Sequence, residues 1–253
     1  MKRLTIVVPY RARADHLRKF IPALRTYFSR DKADCLIPYR VLIIEQEDGL
    51  PFNGGSLKNI GFRLGRDDSD YTCFHDVDYL PMWADYSWSE SPAAIVWYGA
   101  ESRAISASDP RLRIFHDLDG FFGAVILTPN ALFEQVNGYA NSYWGWGYED
   151  ADLKLRYRSA GIATARRKGT FQPLPHDNAG YNPDGSPVPT TQANRRLFES
   201  RWTNRSAVSP DGLSTLAFDI LSRCDAPKGP PSERPARWEI VTVRPRVAET
   251  GNG

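Results

Sequence analysis

A chain of 253 residues, 42% hydrophobic and 25% charged, has enough apolar mass for one large core. Its net charge of +2, with 32 basic residues scattered rather than massed, excludes a polyanion binder, so no nucleic acid partner is expected. No apolar stretch nears the roughly 18–20 residues of a membrane-spanning helix, the run after Lys2-Arg3 meets Pro9 too soon for a signal sequence, and Cys35, Cys73 and Cys224 form neither a metal cluster nor an even set; a cytoplasmic, reduced setting is expected, with peripheral membrane contact left open.

Leu4 to Val8 is a short β-rich run that Pro9 should stop. Tyr10, Arg11 and Arg13 come next, at the end of a strand where open α/β sheets bind ligands; guanidinium forks suit phosphates there, and solvated surface arginines are the alternative. Leu17, Phe20, Ile21, Leu24 and Phe28 have helical spacing, which predicts a helix over Asp15 to Phe28 kinked or restarted at Pro22. Arg40 to Glu45 reads as a strand buried on both faces, as in a parallel sheet. Phe52 to Gly55 is a turn, with Ser56 as cap of a helix that turns Leu57, Ile60 and Leu64 inward; Asn59 either reaches a ligand or bonds local backbone.

Tyr71 to His75 is the third strand, ending in Asp76-Val77-Asp78, with Pro81 expected to stop the next run. The chain has four Asp-x-Asp pairs, Asp68/Asp70, Asp76/Asp78, Asp117/Asp119 and Asp150/Asp152, but only Asp76/Asp78 ends an apolar strand. Two carboxylates there can converge on one hard cation, and oxygen ligands shared with a diphosphate suit Mg2+ or Mn2+. Further strands are expected at Ile95 to Tyr98 and Gly120 to Leu127, then a helix begun by Pro129 through Val136 and a turn at Gly138.

Trp144-Gly145-Trp146-Gly147-Tyr148-Glu149-Asp150 is poor as strand or helix, since glycine costs roughly 0.5–1 kcal/mol in either. It can lay flat rings and bare backbone against a sugar beside a carboxylate able to take a proton. The alternative is that Glu149 and Asp150 merely favour the helix dipole. A helix over Glu149 to Ser159 should bury Leu153 and Leu155 and stop at Gly161. Gly169 to Gln192, rich in Pro, Gly, Asn and Asp, predicts a long irregular loop or lid holding His176, either a metal ligand or an idle surface histidine. A helix near Asn194 to Arg201, a run at Leu213 to Leu221, a turn at Pro227 to Pro235 and a strand at Trp238 to Val243 complete the chain.

These pieces resemble the β-1,4-galactosyltransferase family, inverting GT-A glycosyltransferases that use a nucleotide sugar and Mn2+. The similar segments are Val8-Pro9-Tyr10-Arg11-Ala12-Arg13, Phe52-Asn53 with Asn59-Ile60-Gly61-Phe62, Asp76-Val77-Asp78 with Pro81, and Trp144 to Asp150; Phe122-Gly123, Asp211-Gly212-Leu213 and Ile240 to Val243 agree in order. The resemblance implies an α/β, GT-A fold: a central, mostly parallel twisted sheet with flanking helices and a long active-site loop. It implies one domain over 1–253, with a nucleotide-sugar half at about 1–100, an acceptor half at about 101–253 and a mobile loop at about 169–192.

The same resemblance implies roles. Arg11 and Arg13 would lie against the nucleotide end of the donor with Phe52 beside the base, Asp76 would bind the donor's ribose or sugar region, and Pro9, Val77, Phe121 and Gly123 would also contact the donor. Asp78 and His176 would hold the metal. Trp146 would pack on donor and acceptor, Glu149 would orient the acceptor and Asp150 would be the base. UDP-galactose or UDP-N-acetylgalactosamine is the implied donor and a carbohydrate the implied acceptor, with Phe121 in place of a common tyrosine opening the second choice. The anchor of secretory-pathway relatives is not seen, which implies a bacterial-type enzyme acting on a cytoplasmic glycan or lipid-linked acceptor. Two departures stand out: Gly54 where relatives carry arginine, and Pro173-Leu174 where relatives offer a second loop ligand. They keep a weakened sugar-binding or scaffold protein of the same fold open; a divalent-metal phosphohydrolase comes after it, since a carboxylate–metal cleft can also orient water.

Overall fold

The structure, a computed structural model, describes residues 1–30, 36–47, 49–96, 122–167, 169–175, 180–203, 210–226 and 236–246. Its strands are β1 (Leu4–Tyr10), β2 (Tyr39–Gln46), β3 (Tyr71–His75), β4 (Tyr79–Ala84), β5 (Ala93–Ala94), β6 (Val125–Pro129), β7 (Ala165–Arg166), β8 (Gly169–Pro173), β9 (Phe218–Asp225) and β10 (Arg237–Pro245). The helices are α1 (Ala14–Phe28), α2 (Gly54–Gly65), α3 (Asn130–Gln135), α4 (Glu149–Ser159) and α5 (Pro189–Thr203). Eight strands form one sheet in the order β7-β5-β6-β3-β1-β2-β10-β9, and β4 pairs with β8 in a separate ribbon. The central strands β3, β1, β2 and β10 run parallel, with antiparallel partners toward both edges.

Alternation along the strands makes the three layers. Leu4, Ile6 and Val8 of β1, with Val41 and Ile43 of β2, pack on Phe20, Ile21, Leu24 and Phe28 of α1. Val7, Leu42, Ile44 and Phe74 face the other way, onto Leu57, Ile60 and Phe62 of α2, Phe133 of α3 and Leu153 of α4. Each such buried side chain contributes roughly 1.5–3 kcal/mol, which fixes the register because a one-residue slip would invert both faces. Gly61 lets α2 sit close on β1, since a Cβ there would stand 2.2 Å from Val7 Cγ1. Because α1 and α2 leave β1 and β2 on opposite faces, β1 and β3 diverge at their carboxyl ends, where a crevice opens.

Several local expectations are corrected. Pro9 does not stop β1: pairing with β3 ends at Val7, so the missing N–H falls where the strand has one neighbour rather than two. Helix α1 runs through Pro22, which is exposed, as is Arg18, whose freed carbonyl can reach water. The cap of α2 is Asn53, whose side chain accepts from Ser56 N at 2.8 Å, rather than Ser56. Pro81 lies inside β4, next to a bulge. The strand expected at Ile95 to Tyr98 is Ala93–Ala94, and that expected at Gly120 to Leu127 starts only at Val125; residues 97–121 lie outside the described residues.

In α4 Leu155 is half-buried while Asp152, Arg156 and Tyr157 are buried, because an ion pair rather than a second leucine occupies the inner face. The segment 169–192 is not an irregular loop throughout. β8 opens it, a Tyr181–Pro187 bridge pins its middle and α5 begins at Pro189, since backbone pairing with β4 and a proline-started helix supply the hydrogen bonds. Leu213 to Leu221 divides into a 3-10 turn, Leu213–Thr215, and the start of β9. The turn expected at Pro227 to Pro235 lies outside the described residues.

Candidate active site

At the carboxyl end of β3 the chain turns sharply through Asp76-Val77-Asp78. The turn is tied on both sides: Asp76 N donates to Ala124 O at 2.8 Å, and Leu174 N donates to Asp78 O at 2.7 Å. Val77 and Asp78 are buried, and Asp78 Oδ2 meets Arg13 Nη1 at 3.0 Å. Across the crevice Arg11 donates to Leu50 O at 2.6 Å and lies 5.5 Å from the centre of the Phe52 ring. Arg11, Arg13 and Phe52 therefore share one rim with the Asp76-Asp78 turn, while Pro9 lies buried in β1 just before them.

His75, fully buried, anchors the turn from below. Its Nδ1–H donates to the Asp76 carbonyl at 3.0 Å and its Nε2 accepts from the Tyr86 hydroxyl at 2.8 Å. Burial pushes its pKa down to about 4 from 6.5, more than Asp76 and Asp78 raise it. Between these values the unfolded chain binds a proton that the folded chain refuses, so stability is lost as pH is lowered through that window. At about 1.4 kcal/mol per unit the loss reaches about 3 kcal/mol. Asp76 and Glu149, both raised, act in the opposite direction. Denaturant titrations of wild type and His75→Gln at pH 7 and pH 4 should therefore show wild type losing about 3 kcal/mol relative to the variant; a constant difference contradicts the buried neutral imidazole.

The second wall is the tryptophan-glycine segment. Gly145 N donates to Phe52 O at 2.7 Å, and Asn194 Nδ2 on α5 reaches the carbonyls of Trp144, Trp146 and Gly147 at 3.0–3.2 Å. The indole of Trp146 lies on Gly180, where a Cβ would come within 2.5 Å of the ring, and edge-on to Tyr181 at 5.4 Å. Tyr148 holds a left-handed backbone (φ 77°) and starts α4. That turn delivers Glu149 and Asp150 toward α2, where Lys58 Nζ stands 3.0 Å from Asp150 Oδ1 and 3.8 Å from Glu149 Oε1.

The two walls share one field of charge. Burial raises the Asp76 carboxyl to about 7, Lys58 opposes this, and Asp78, Asp150 and Glu149 raise it further. Burial and then Asp150 lift Glu149 to about 7 as well, against Lys58. Burial would lower Lys58, but Asp150, Asp76 and Glu149 outweigh it and hold its pKa above the ordinary lysine range. Segments some seventy residues apart thus meet in one acid-rich crevice that can accommodate further positive charge.

Carboxylate oxygens are the donors that suit a hard divalent cation, and of the two ligands expected for it Asp78 lies among the described residues. Among the described residues no group of three or more His, Cys, Asp or Glu is set to hold one, and His176 lies outside them, as does Phe121. Pro173 is paired in β8 and Leu174 is buried, so neither supplies a side-chain ligand. Gly123, buried with Phe122, precedes β6. Asn59 does not face the crevice: it bonds the backbone of Tyr139 and the side chain of Asn141.

Lys58 belongs to no motif in the sequence. Its signal is a lysine in a helix buried on every side from Gly54 to Phe62. The Asp150/Asp152 pair also divides, because Asp152 turns away into a buried network with Arg156, Tyr143 and Trp202.

The sheet, its crevice and the turn after β3 are those of the GT-A fold. Over 98% of this chain and 95% of the other, the structure is similar to the crystal structure of the catalytic domain of Drosophila β1,4-galactosyltransferase 7 in complex with xylobiose, with TM-score 0.71 and 24% identity. A mutant of that protein in complex with manganese, UDP-Gal and xylobiose gives TM-score 0.69 and 23% identity over the same shares.

Residues 1–88 match the N-terminal region of glycosyl transferase group 7, and residues 103–177 match the N-terminal domain of galactosyltransferase. Beta-1,4-galactosyltransferase 7 of Drosophila melanogaster is 28% identical over 223 residues, 87% of this chain and 63% of its own length; the Homo sapiens counterpart is 28% identical over 228 residues, 87% and 62%. Beta-1,4-galactosyltransferase 4 of Homo sapiens is 35% identical over 160 residues, 62% of this chain and 42% of its own length. The chain belongs to the β-1,4-galactosyltransferase family, and spans somewhat under two thirds of the length of the first two relatives.

Proposed function

We propose that this chain is a metal-dependent inverting glycosyltransferase that moves galactose or N-acetylgalactosamine from a UDP-sugar to a carbohydrate acceptor, forming a β-1,4 linkage. The observation that carries this reading is the shared charge of Asp76, Asp78, Lys58, Glu149 and Asp150 in one crevice. The solved complex of a relative with manganese, UDP-Gal and xylobiose supports the substrate classes. The N-terminal half, about 1–100, takes the nucleotide sugar and the remainder takes the acceptor. Glycan or lipid-linked acceptors in a cytoplasmic setting belong to the same proposal.

Arg11 and Arg13 bind the diphosphate end, with Pro9 and Phe52 along the nucleotide and Asp76, Val77, Phe121 and Gly123 around the donor sugar. Trp146 supplies a flat apolar face, and Glu149 orients the acceptor. Asp150 takes the proton of the acceptor hydroxyl as that oxygen bonds to the anomeric carbon; the bond from that carbon to the diphosphate breaks, and its electron pair leaves with UDP. A divalent cation held by Asp78 and His176 would neutralise the charge gathering on the diphosphate. The rings of Trp146 and Tyr181 shield the crevice from water.

The test of the nucleotide half is calorimetry of UDP with and without Mn2+. Wild type should bind at least about tenfold more tightly with the ion, and Asp78→Ala should lose that gain. Equal Mn2+ dependence in both proteins would remove Asp78 from the site.

A further inference from the structure

Lys58 is the least expected residue on α2, a helix buried all around it. An ammonium taken out of water costs several kcal/mol unless it is paired. Three groups surround its Nζ closely: Asp150 Oδ1 at 3.0 Å, Glu149 Oε1 at 3.8 Å, and the ring of Tyr139, whose centre is 4.8 Å away. Asp76, from the end of β3, acts on it through space. An ammonium has three protons and no lone pair, so it can hold these groups but not accept a proton from an acceptor.

One turn earlier on the helix, Gly54 offers no side chain, although a Cβ there would stand only 3.8 Å from Glu149 Oε1. Among the described residues Lys58 is thus the cation within ion-pair reach of Glu149 and Asp150. It meets only Oδ1 of Asp150, and among the described residues no donor meets Oδ2.

We propose that Lys58 is a positioning residue for sugar transfer: it grips Oδ1 of Asp150 and holds the carboxylate plane so that Oδ2 faces the acceptor hydroxyl. This rests on the transferase reading above. In the transfer step the acceptor O–H proton passes to Oδ2, the oxygen's electron pair forms the bond to the anomeric carbon, and the carbon–diphosphate bond breaks with its pair on the diphosphate. Lys58 keeps its proton throughout.

The test compares kcat and both KM values for wild type, Lys58→Met, Lys58→Arg, Asp150→Asn and the Lys58→Met/Asp150→Asn double variant, with donor affinity measured on the same preparations. Lys58→Met should lower kcat about 10- to 100-fold while donor affinity stays within about threefold, and Lys58→Arg should restore most of the rate. In the Asp150→Asn background the same change should cost less than about twofold more, because the group it positions has gone. An unchanged kcat in Lys58→Met, or losses that multiply in full in the double variant, overturns the proposal. If Asp150→Asn alone turns over like wild type, the base assignment itself fails, which is a separate result. Should Lys58→Met not fold, Lys58→Gln, which removes the charge but keeps a donor, carries the same expectations.

Discussion

Asp150→Asn should abolish sugar transfer by at least about 10²-fold while leaving UDP-sugar affinity within a few-fold of wild type. An amide matches the carboxylate in shape and still reaches Lys58, but it cannot take a proton, and loss of a general base costs about 10²–10⁴ in rate. The effect should be selective. Asp150 stands on the first turn of α4, against α2, whereas the rim proposed for the nucleotide is built from the ends of β1 and β3. Glycan-transfer assays should therefore show kcat falling with donor KM nearly constant. Unchanged turnover would remove Asp150 from catalysis, and a loss confined to donor affinity would move it to the nucleotide side.

The second large effect is structural. Arg156 is 1% exposed and its guanidinium serves four acceptors: Asp152 Oδ2 at 2.6 Å, Asp211 O at 2.8 Å, and the carbonyls of Val136 and Gly138 at 3.4 Å each. Arg156→Met would fill similar space but leave Asp152 as a buried anion, relieved among the described residues by Tyr143, Trp202 and the more distant Arg201. Breaking a buried pair on one side costs about 3–5 kcal/mol. For a chain of this size that is a fall of roughly 6–20 °C in Tm. Denaturant unfolding followed by tryptophan fluorescence measures it directly, and a loss under about 1 kcal/mol would mean the network does not hold α4 in place. Because Asp152 is two residues from Asp150, the variant should also blunt activity at temperatures where it remains folded.

What the sequence shows of this fold is what depends on local pattern. The alternation through Leu4 to Val8 and Val41 to Ile44, the Asp-x-Asp at a strand end and the Trp-Gly alternation running into two acids are each contained in a few consecutive residues, and each lies where that pattern implies. What it hides depends on partners far along the chain. Lys58 has a meaning only once Asp150, 92 positions away, is beside it, and Arg156 only once Asp211 is. The prolines mislead for a related reason. Whether Pro9 or Pro81 can sit in a strand depends on which side lacks a neighbour, and that is set by the sheet order rather than by the proline. Asn53 takes the cap expected of Ser56 because its amide also reaches Asn141 O across the crevice wall.

The proposed chemistry requires a single carboxylate working opposite a departing diphosphate. The anomeric configuration of the transferred sugar, read by proton NMR on product made from an α-linked UDP-galactose or UDP-N-acetylgalactosamine donor with Mn2+, tests this most directly. One in-line displacement assisted by Asp150 must give the β-linked product; an α-linked product, formed with retention, would contradict it.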